Sequence, residues 1–338
     1  MSDLTTSEWD DWLATHPQAH LLQSSAWARL KGEFGWSAAR VVVRKQGTIQ
    51  AGAQILFRHL PFNLATIAYI PKGPITDWHN AELTSYLLAQ CVEVAKSGRA
   101  IFLKIEPDLA ESAENRTLLA QYGLQSNTRT IQPRQTITLD ISGTSEQILA
   151  AMKQKTRYNI RLSQKKEITT RIGTDKDLPA FFNLMVQTGK RDAFALHNTD
   201  YYQRAYEIFQ PLGQADLLLA EFAGKPLAAI MAFALGSRAY YLYGASSDEE
   251  RNRMPTYAVQ WAAVEWGQRH GCATYDLYGI PDEPEAVLEA EFENRQDGLW
   301  QVYRFKRGFG GQIQRTVGAF DLVLNPWLYR LALRFGKL

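Results

Sequence analysis

A repeat inside the chain most constrains what it can fold into. The stretch ARVVVRKQGTIQAGAQILFRHL holds two β-rich runs around Gln46-Gly47, a hairpin signal. A third run, ATIAYI, ends at Pro71. NAELTSYLLAQCVEVAKSG follows with apolar residues at helical spacing and Gly98 as its stop, and AIFLKIEP then reads as a short buried strand. The second half repeats this order. ADLLLAEFAGKPLAAIMAFAL is two strands around Gly224-Lys225, and AYYLYGAS is the third. PTYAVQWAAVEWGQRHG is a helix with Pro255 in its first turn and Gly271 as its stop, and CATYDLYGIP closes the copy. Strand–turn–strand–strand–loop–helix–strand, occurring twice, predicts two related α/β units.

That order is the core of an acyltransferase-type domain, the GNAT-like fold. A length of 338 residues suits two such domains. The expected class is therefore α/β (α+β), with two tandem GNAT-like acyltransferase domains. Fold alone leaves function open. The formal charge of +2 means that a polyanion must be met by a local cluster of cations. Cys91 and Cys272 lie far apart, which suggests reduced thiols and a cytoplasmic protein. The polar, acidic start MSDLTTSEWDDW predicts no signal peptide, and no apolar run approaches the ~20 residues that span a bilayer. The six histidines lack metal-ligand spacing.

Between the copies lies LAAMKQKTRYNIRLSQKKEITTRIG. It sets Lys153, Lys155, Arg157, Arg161, Lys165, Lys166 and Arg171 against one acid, Glu167. A solvated helix face explains this, and so does a strip that follows a phosphate backbone. Near the end, GLWQVYRFKRGFGGQ clusters Arg304, Lys306 and Arg307 beside Phe305. As a helix, Asp297 caps its start, Leu299, Val302, Tyr303 and Phe305 form an apolar side, and Gly308 takes a left-handed stop. The cations then sit in the last turn, where the helix dipole favours them. Dipole complementation and catalysis both fit those residues. Lys72 in YIPKGP sits in a Pro/Gly loop at a strand end, a common ligand position and an equally ordinary turn.

Taken together and in order, IQPRQTITLDI, YIPKGP, KQKTRYNIRLSQKKEI, YYLYGASSDEERNRMPTYAVQWAAVEWG and YRFKRGFGG resemble the Fem family. These are aminoacyl-tRNA-dependent transferases that extend the peptidoglycan stem peptide. The resemblance implies two GNAT-like domains without the long helical-arm insertion of some members. Residues 1–141 plus 316–338 would form the precursor-binding domain. Residues 142–315 would form the aminoacyl-tRNA domain. TVGAFDLVLNPWLYRLALRF would return to the first.

Phe305-Lys306 matches the family's catalytic pair. Lys306 would hold a charge near the oxyanion or leaving oxygen, positioned by Phe305 packing beneath it. As a surface residue, Lys306→Met would change stability by no more than about 0.5 kcal/mol. The strip Lys153, Lys155, Arg157, Arg161, Lys165 and Lys166 would meet tRNA. Lys31 matches a precursor-binding lysine, with Glu33 standing near an expected Asn. Tyr201 and Tyr243 match binding tyrosines, while Ala195 and His197 replace Thr and Arg. Partners would be aminoacyl-tRNA carrying Gly, Ala or Ser and a UDP-MurNAc-pentapeptide or lipid II precursor, with peripheral contact to the inner membrane face. No cofactor is implied. The competing readings are an acyl-CoA N-acetyltransferase, a lysyl-phosphatidylglycerol-synthase-like transferase, and a non-catalytic tRNA-binding module. The acyl-CoA reading expects a glycine-rich pyrophosphate loop where this chain has RNRMPTYA.

Overall fold

Both repeats begin with a two-residue hairpin turn whose central residues are left-handed: Gln46 (φ 51°) with Gly47 (φ 85°), and Ala223 (φ 49°) with Gly224 (φ 76°). Such turns match the twist of the flanking strands. The second turn is therefore Ala223-Gly224, one residue earlier than the sequence suggests, and Lys225 starts the next strand. The structure, a computed structural model, describes residues 4–61, 64–192 and 196–334.

The chain divides into two units, Met1–Arg134 with Arg315–Leu338, and Gln135–Gln314. The first contains α1 (Thr6–Thr15), α2 (Ser25–Glu33), β1 (Trp36–Lys45), β2 (Thr48–His59), β3 (Thr66–Pro71), α3 (Ala81–Ser97), β4 (Ala100–Glu106), α4 (Ala113–Gln121) and β5 (Gln125–Asn127). The second opens with β6 (Gln135–Asp140), α5 (Ser145–Ala151), α6 (Gln154–Lys165), β7 (Thr169–Ile172), α7 (Leu178–Asp192) and α8 (Thr199–Phe209). It continues through β8 (Ala215–Phe222), β9 (Lys225–Leu235), β10 (Arg238–Ser246), α9 (Pro255–Arg269), β11 (Thr274–Gly279), α10 (Glu285–Glu291), α11 (Trp300–Lys306) and β12 (Gln312–Arg315). The chain then returns to the first unit with β13 (Ala319–Val323) and α12 (Pro326–Arg334). β6, which falls before the boundary expected at residue 141, is a strand of the second sheet.

The first sheet has the order β1-β2-β3-β4-β13-β5 and the second β12-β6-β11-β10-β9-β8-β7. In each, the repeat supplies a meander and one parallel pair, β3 with β4 and β10 with β11. A strand from elsewhere in the chain then pairs antiparallel with the fourth: β13 with β4, and β6 with β11. The helices α3 and α9 cover one face of their sheets and bury Leu87, Leu88 and Cys91, and Val259, Ala263 and Val264. Gly98 caps the end of α3 as expected, and Arg99 after it is left-handed, with φ 57°. Gly98 is also required by close packing, because a Cβ there would lie 2.4 Å from the Phe57 ring. No helix among the described residues is long and apolar enough to cross a membrane.

Insertion of β13 into the first sheet rests on a buried ion pair. Lys104 on β4 and Asp321 on β13 are 3.0 Å apart, and both are buried. Asp321 also accepts hydrogen bonds from Asn127 (2.5 Å) and from the Tyr329 hydroxyl (2.7 Å), and Lys104 donates to the Arg129 carbonyl (3.1 Å). Removing one member of such a pair leaves an uncompensated buried charge, which typically destabilises by about 3–5 kcal/mol. Asp321→Ala is expected to fall in that range by urea denaturation. Lys104→Met combined with Asp321→Leu is expected to recover part of that stability. Equal destabilisation in the two variants would show that packing, not the stranded ammonium, sets the effect.

Candidate active site

The parallel pairing of β10 with β11 lasts only three residues, Arg238↔Thr274 to Tyr240↔Asp276. On the other side of β11 the pairing with β6 slips between Asp276 and Gly279. Tyr278, within this break, is left-handed at φ 62°, an uncommon conformation for a residue with a Cβ. The Asp276 carboxylate accepts a hydrogen bond from the Tyr278 N–H (2.8 Å) and closes the turn. Two backbone carbonyls border this break. The Lys306 ammonium donates to both, Tyr278 O at 3.2 Å and Gly279 O at 2.8 Å, and lies 5.4 Å from the centre of the Tyr241 ring.

Helix α11 delivers that ammonium. Its buried face is Trp300, Tyr303 and Lys306, at helical spacing, so the lysine is part of the inward stripe. Lys306 is 5 % exposed and is not a surface residue. Burial disfavours its charged form and brings it from 10.5 down to about 7, with Asp276 opposing the shift. The helix ends differently from the sequence reading. Asp297 does not cap it by its side chain, which pairs with Arg295 at 2.5 Å. A 3₁₀ turn over Arg307–Phe309 follows, and Gly310 (φ 77°), not Gly308, is left-handed. Gly308 is a close-approach glycine: a Cβ there would lie 2.3 Å from Thr156 Oγ1. Its carbonyl accepts from Lys153 N (2.9 Å).

Phe305 does not pack beneath Lys306, because adjacent helical residues point about 100° apart. It meets Tyr257 and Phe309 edge to face at 5.2 and 5.1 Å. With Tyr257 it lines a cavity of about 490 Å³ whose wall also includes Lys153, Lys155, Thr156 and Arg304. Arg307 does more than complement the helix dipole. It donates to Glu289 (2.7 Å) and lies 3.7 Å over the Phe292 ring. Glu289 also accepts from the Tyr303 hydroxyl (2.6 Å), and these partners, Arg307 foremost, hold its carboxyl down to about 2.

The cationic strip is interrupted by a bend between α5 and α6 and by the turn before β7. Helix α6 buries Thr156, Asn159, Ile160 and Ser163. Lys155, Arg161 and Lys165 therefore share the exposed side with Tyr158, and Lys153 is exposed just ahead of the helix. Lys166 is half-buried at the helix end. Arg157 is half-buried and donates to the carbonyls of Ala150 (3.2 Å) and Met152, so it braces the bend. Arg171 is held by Asp177 and Glu221, each at 2.7 Å.

The precursor-site candidates fall into both units. In the first, Lys31 is half-buried with its ammonium 4.9 Å over Trp27, and burial lowers it to about 8, helped by Arg58. Glu33 is exposed at the end of α2. Lys72 is buried, left-handed at φ 48°, and 3.4 Å from Asp108. In the second unit, the exposed His197 ring stacks on Tyr201 at 3.8 Å, and the Tyr243 hydroxyl donates to that of Tyr201 at 3.3 Å. Burial raises the Tyr201 hydroxyl to about 12. These three rings thus form one cluster, with Tyr202 edge-on to Tyr243 at 5.2 Å. Ala195 lies outside the described residues.

Sequence reasoning missed Asp276, Tyr278, Gly279 and Tyr241, which build the lysine cradle. It also missed Glu106. That carboxylate accepts from the Tyr69 hydroxyl and from Ile131 N (2.5 Å) and Gln132 N (3.0 Å), and burial raises its pKa. The signal that could have found them was the charged residues inside the mostly apolar fourth strands, Lys104 and Glu106 in AIFLKIE and Asp276 in TYDLYG. Cys91 and Cys272 are buried, which raises their thiols to about 12 and about 11 and makes them poor nucleophiles.

A tandem GNAT protein from the clavulanic acid biosynthesis pathway shares the fold, with a TM-score of 0.55 at 13% identity over 95% of each chain. The crystal structure of FemX superposes far better, with a TM-score of 0.89 at 25% identity, covering 97% of this chain and 98% of that one. The lipid II:glycine glycyltransferase of Staphylococcus aureus (strain USA300) is 28% identical over 405 aligned positions, covering 97% of this chain and 94% of that protein. Those positions outnumber the 338 residues here, so that relative carries insertions this chain lacks. Fold and site together define an acyltransferase made of two GNAT-like domains. The family model described as FemAB family matches residues 4–224 and 223–337, and the chain belongs to that family.

The buried lysine predicts a pH signature. Unfolded lysine titrates near 10.5 and folded Lys306 at about 7, so between these values the unfolded chain binds the extra proton. Stability from this group therefore rises with pH across that window, and below it the full burden of burying the ammonium is present. Relative to Lys306→Met, wild type is expected to gain stability between about pH 7 and pH 10, read from denaturant melts. A constant difference across the window would mean that the ammonium is not desolvated. The expectation of a change within about 0.5 kcal/mol, which rested on exposure, does not hold for this buried position.

Proposed function

We propose that the protein transfers an amino acid from aminoacyl-tRNA to the side-chain amine of a peptidoglycan stem peptide, with Lys306 as its catalytic cation. The observation that carries the reading is the buried ammonium of Lys306 on the carbonyls of Tyr278 and Gly279. The name of the S. aureus relative supports lipid II as the acceptor. Gly, Ala and Ser are the candidate amino acids.

In the reaction the acceptor amine attacks the ester carbonyl. A C–N bond forms, the C–O bond to the tRNA 3′-oxygen breaks, and the amine's proton passes to the leaving oxygen or to solvent. Charge develops on the carbonyl oxygen and then on the leaving oxygen. A preorganised ammonium in a water-poor site stabilises either one. A group near neutrality also exchanges a proton readily at working pH. No side-chain nucleophile is needed, and positioning supplies much of the rate. Phe305 would serve at the mouth of the cavity beside Tyr257, as a ring on which a substrate group rests. Lys153, Lys155, Arg161, Lys165 and Lys166 would meet tRNA phosphates, whereas Arg157 acts as a brace. Lys31, Glu33, Lys72, His197, Tyr201 and Tyr243 would contact the precursor, His197 as a weaker, pH-dependent anion contact than arginine.

The acyl-CoA alternative meets an obstacle at the loop before α9. Arg253 lies 3.4 Å over the Phe222 ring, pairs with Glu250 at 2.7 Å and donates to the Lys166 carbonyl at 2.9 Å. It is engaged in holding the fold and does not face an open pyrophosphate cradle.

Single-turnover transfer from aminoacyl-tRNA tests the reading. Lys306→Met is expected to slow the rate ~10²–10³-fold, and Arg304→Met to stay near wild type. Arg307→Met is expected to show its effect as a lowered melting temperature through Glu289. A wild-type rate for Lys306→Met would refute the catalytic role. In a separate measurement, Lys155→Glu, Arg161→Glu and Lys165→Glu together should flatten the salt dependence of tRNA binding. The slope should fall by roughly 0.7–0.9 for each phosphate that is no longer neutralised. An unchanged slope would place tRNA elsewhere.

A further inference from the structure

We propose that the outer face of helix α12 docks the protein on an anionic lipid surface, which rests on the proposal above that the acceptor is lipid-linked. The helix begins at Pro326, with the Asn325 side chain accepting from Leu328 N (3.1 Å). Its inner side is fixed to the first unit. The Tyr329 ring meets Phe102 edge to face at 5.3 Å, and its hydroxyl donates to Asp321 at 2.7 Å. These contacts turn Trp327, Arg330, Leu331 and Arg334 outward, at the spacing of one helical stripe.

Trp327 is 71% exposed and Leu331 39%. Of the nine tryptophans, the other eight are buried or half-buried. A large ring left in water is unusual in itself, and Arg330 and Arg334 follow it on the same helical stripe. Along the chain from Leu322 to Arg334 the charged side chains are Arg330 and Arg334. Tryptophan with its N–H, one aliphatic residue and two arginines suit the headgroup level of a bilayer, where the ring spans apolar and wet layers and the cations meet lipid phosphates. A protein partner is less suited. A helix of nine residues is about 14 Å long, and its outer stripe offers far less than the ~800 Å² per partner that a stable interface needs. The contact is weak and reversible, as one tryptophan and two cations imply. That fits an enzyme which must reach a lipid-linked acceptor and then leave it.

The test uses the full chain and vesicles of phosphatidylglycerol mixed equally with phosphatidylcholine, against vesicles of phosphatidylcholine alone. Wild type should float with the anionic vesicles only. Each cation near an anionic surface contributes about fivefold in partitioning, so Arg330→Gln with Arg334→Gln should bind about thirtyfold more weakly. Trp327→Ser should bind more weakly, and Trp327→Phe should lose a blue shift in fluorescence that wild type shows. Equal binding to both vesicle types, or unchanged binding by the arginine double variant and by Trp327→Ser, overturns the proposal. So does a wild-type dimer in sedimentation velocity that Trp327→Ser converts to monomer, since a second copy would then cover the face. Transfer assays separate this inference from the one beneath it. Trp327→Ser should match wild type on detergent-solubilised lipid-linked acceptor and fall below it on the same acceptor in vesicles. Absence of transfer by wild type in both formats refutes the proposed reaction, while the vesicle binding is judged on its own result.

Discussion

A lysine ammonium cannot be held away from water unless the backbone supplies oxygens for it, and the architecture of the second unit follows from that requirement. The carbonyls come from a β-strand, where they would ordinarily be consumed by neighbouring strands. They come within reach of the ammonium where β10 and β11 part after Asp276 and the pairing with β6 slips. Tyr278 accommodates the slip with a left-handed backbone, and Asp276 holds that turn closed while setting a carboxylate near the cation. Helix α11 must then approach closely enough to place Lys306. That explains Gly308 against Thr156, and Gly310, where a Cβ would lie 2.5 Å from the Ala151 carbonyl. Both close approaches tie α11 to the segment that starts α6, so the buried cation and the exposed cations share one scaffold.

The first unit meets the same geometric opportunity in another way. Its parallel pair, β3 and β4, also ends beside a buried carboxylate, Glu106. There the acid is enclosed by Tyr69 and by the N–H groups of Ile131 and Gln132, with Lys72 nearby contributing its charge. Among the described residues no lysine enters its place from a following helix; β13 returns and pairs with β4, with Lys104 facing Asp321. The duplicated frame thus buries charge at the end of each fourth strand, and what the chain adds afterwards makes the two ends different. The first unit matches its buried lysine with a carboxylate at 3.0 Å, while the second sets its buried lysine on two carbonyls, with Asp276 only partly opposing the loss of its charge.

The repeat is legible in the sequence because hairpin turns and helical periodicity are local properties. Both hairpins, both covering helices and all four strands of each copy are readable from residues close together in the chain. The differences arise where tertiary packing overrides local signal. Gly308 reads as a left-handed stop, yet it is there for a close approach to Thr156, and Gly98, which does cap α3, is also needed for its approach to Phe57. Arg157 belongs to a cationic run and braces a bend. Lys306 reads as a surface lysine in a last turn, since helix composition alone does not say which face points inward when a lysine occupies it. Tyr278 and Gly279 carry no signal, because their role lies in carbonyls that every residue possesses. The charged residues within the mostly apolar fourth strands are the visible clue, and using them requires treating an exception to periodicity as information.

Placement divides the labour among the cations, and dielectric decides which job each can do. On α6, Lys155, Arg161 and Lys165 stand in water, where a polyanion would feel them over a distance set by salt. None of them is fixed sharply enough, or dry enough, to stabilise a developing oxyanion. Lys306 is the reverse: a single cation that contributes little to long-range attraction, since burial makes its charge conditional. The same desolvation magnifies its interaction with any negative charge that forms within reach. An anionic transition state would draw the proton back onto the lysine at the moment the charge is needed. A cation that is only half committed in the resting protein is therefore better matched to a transient charge than a permanently ionised arginine in the same place, whose electrostatic field would act on ground state and transition state alike.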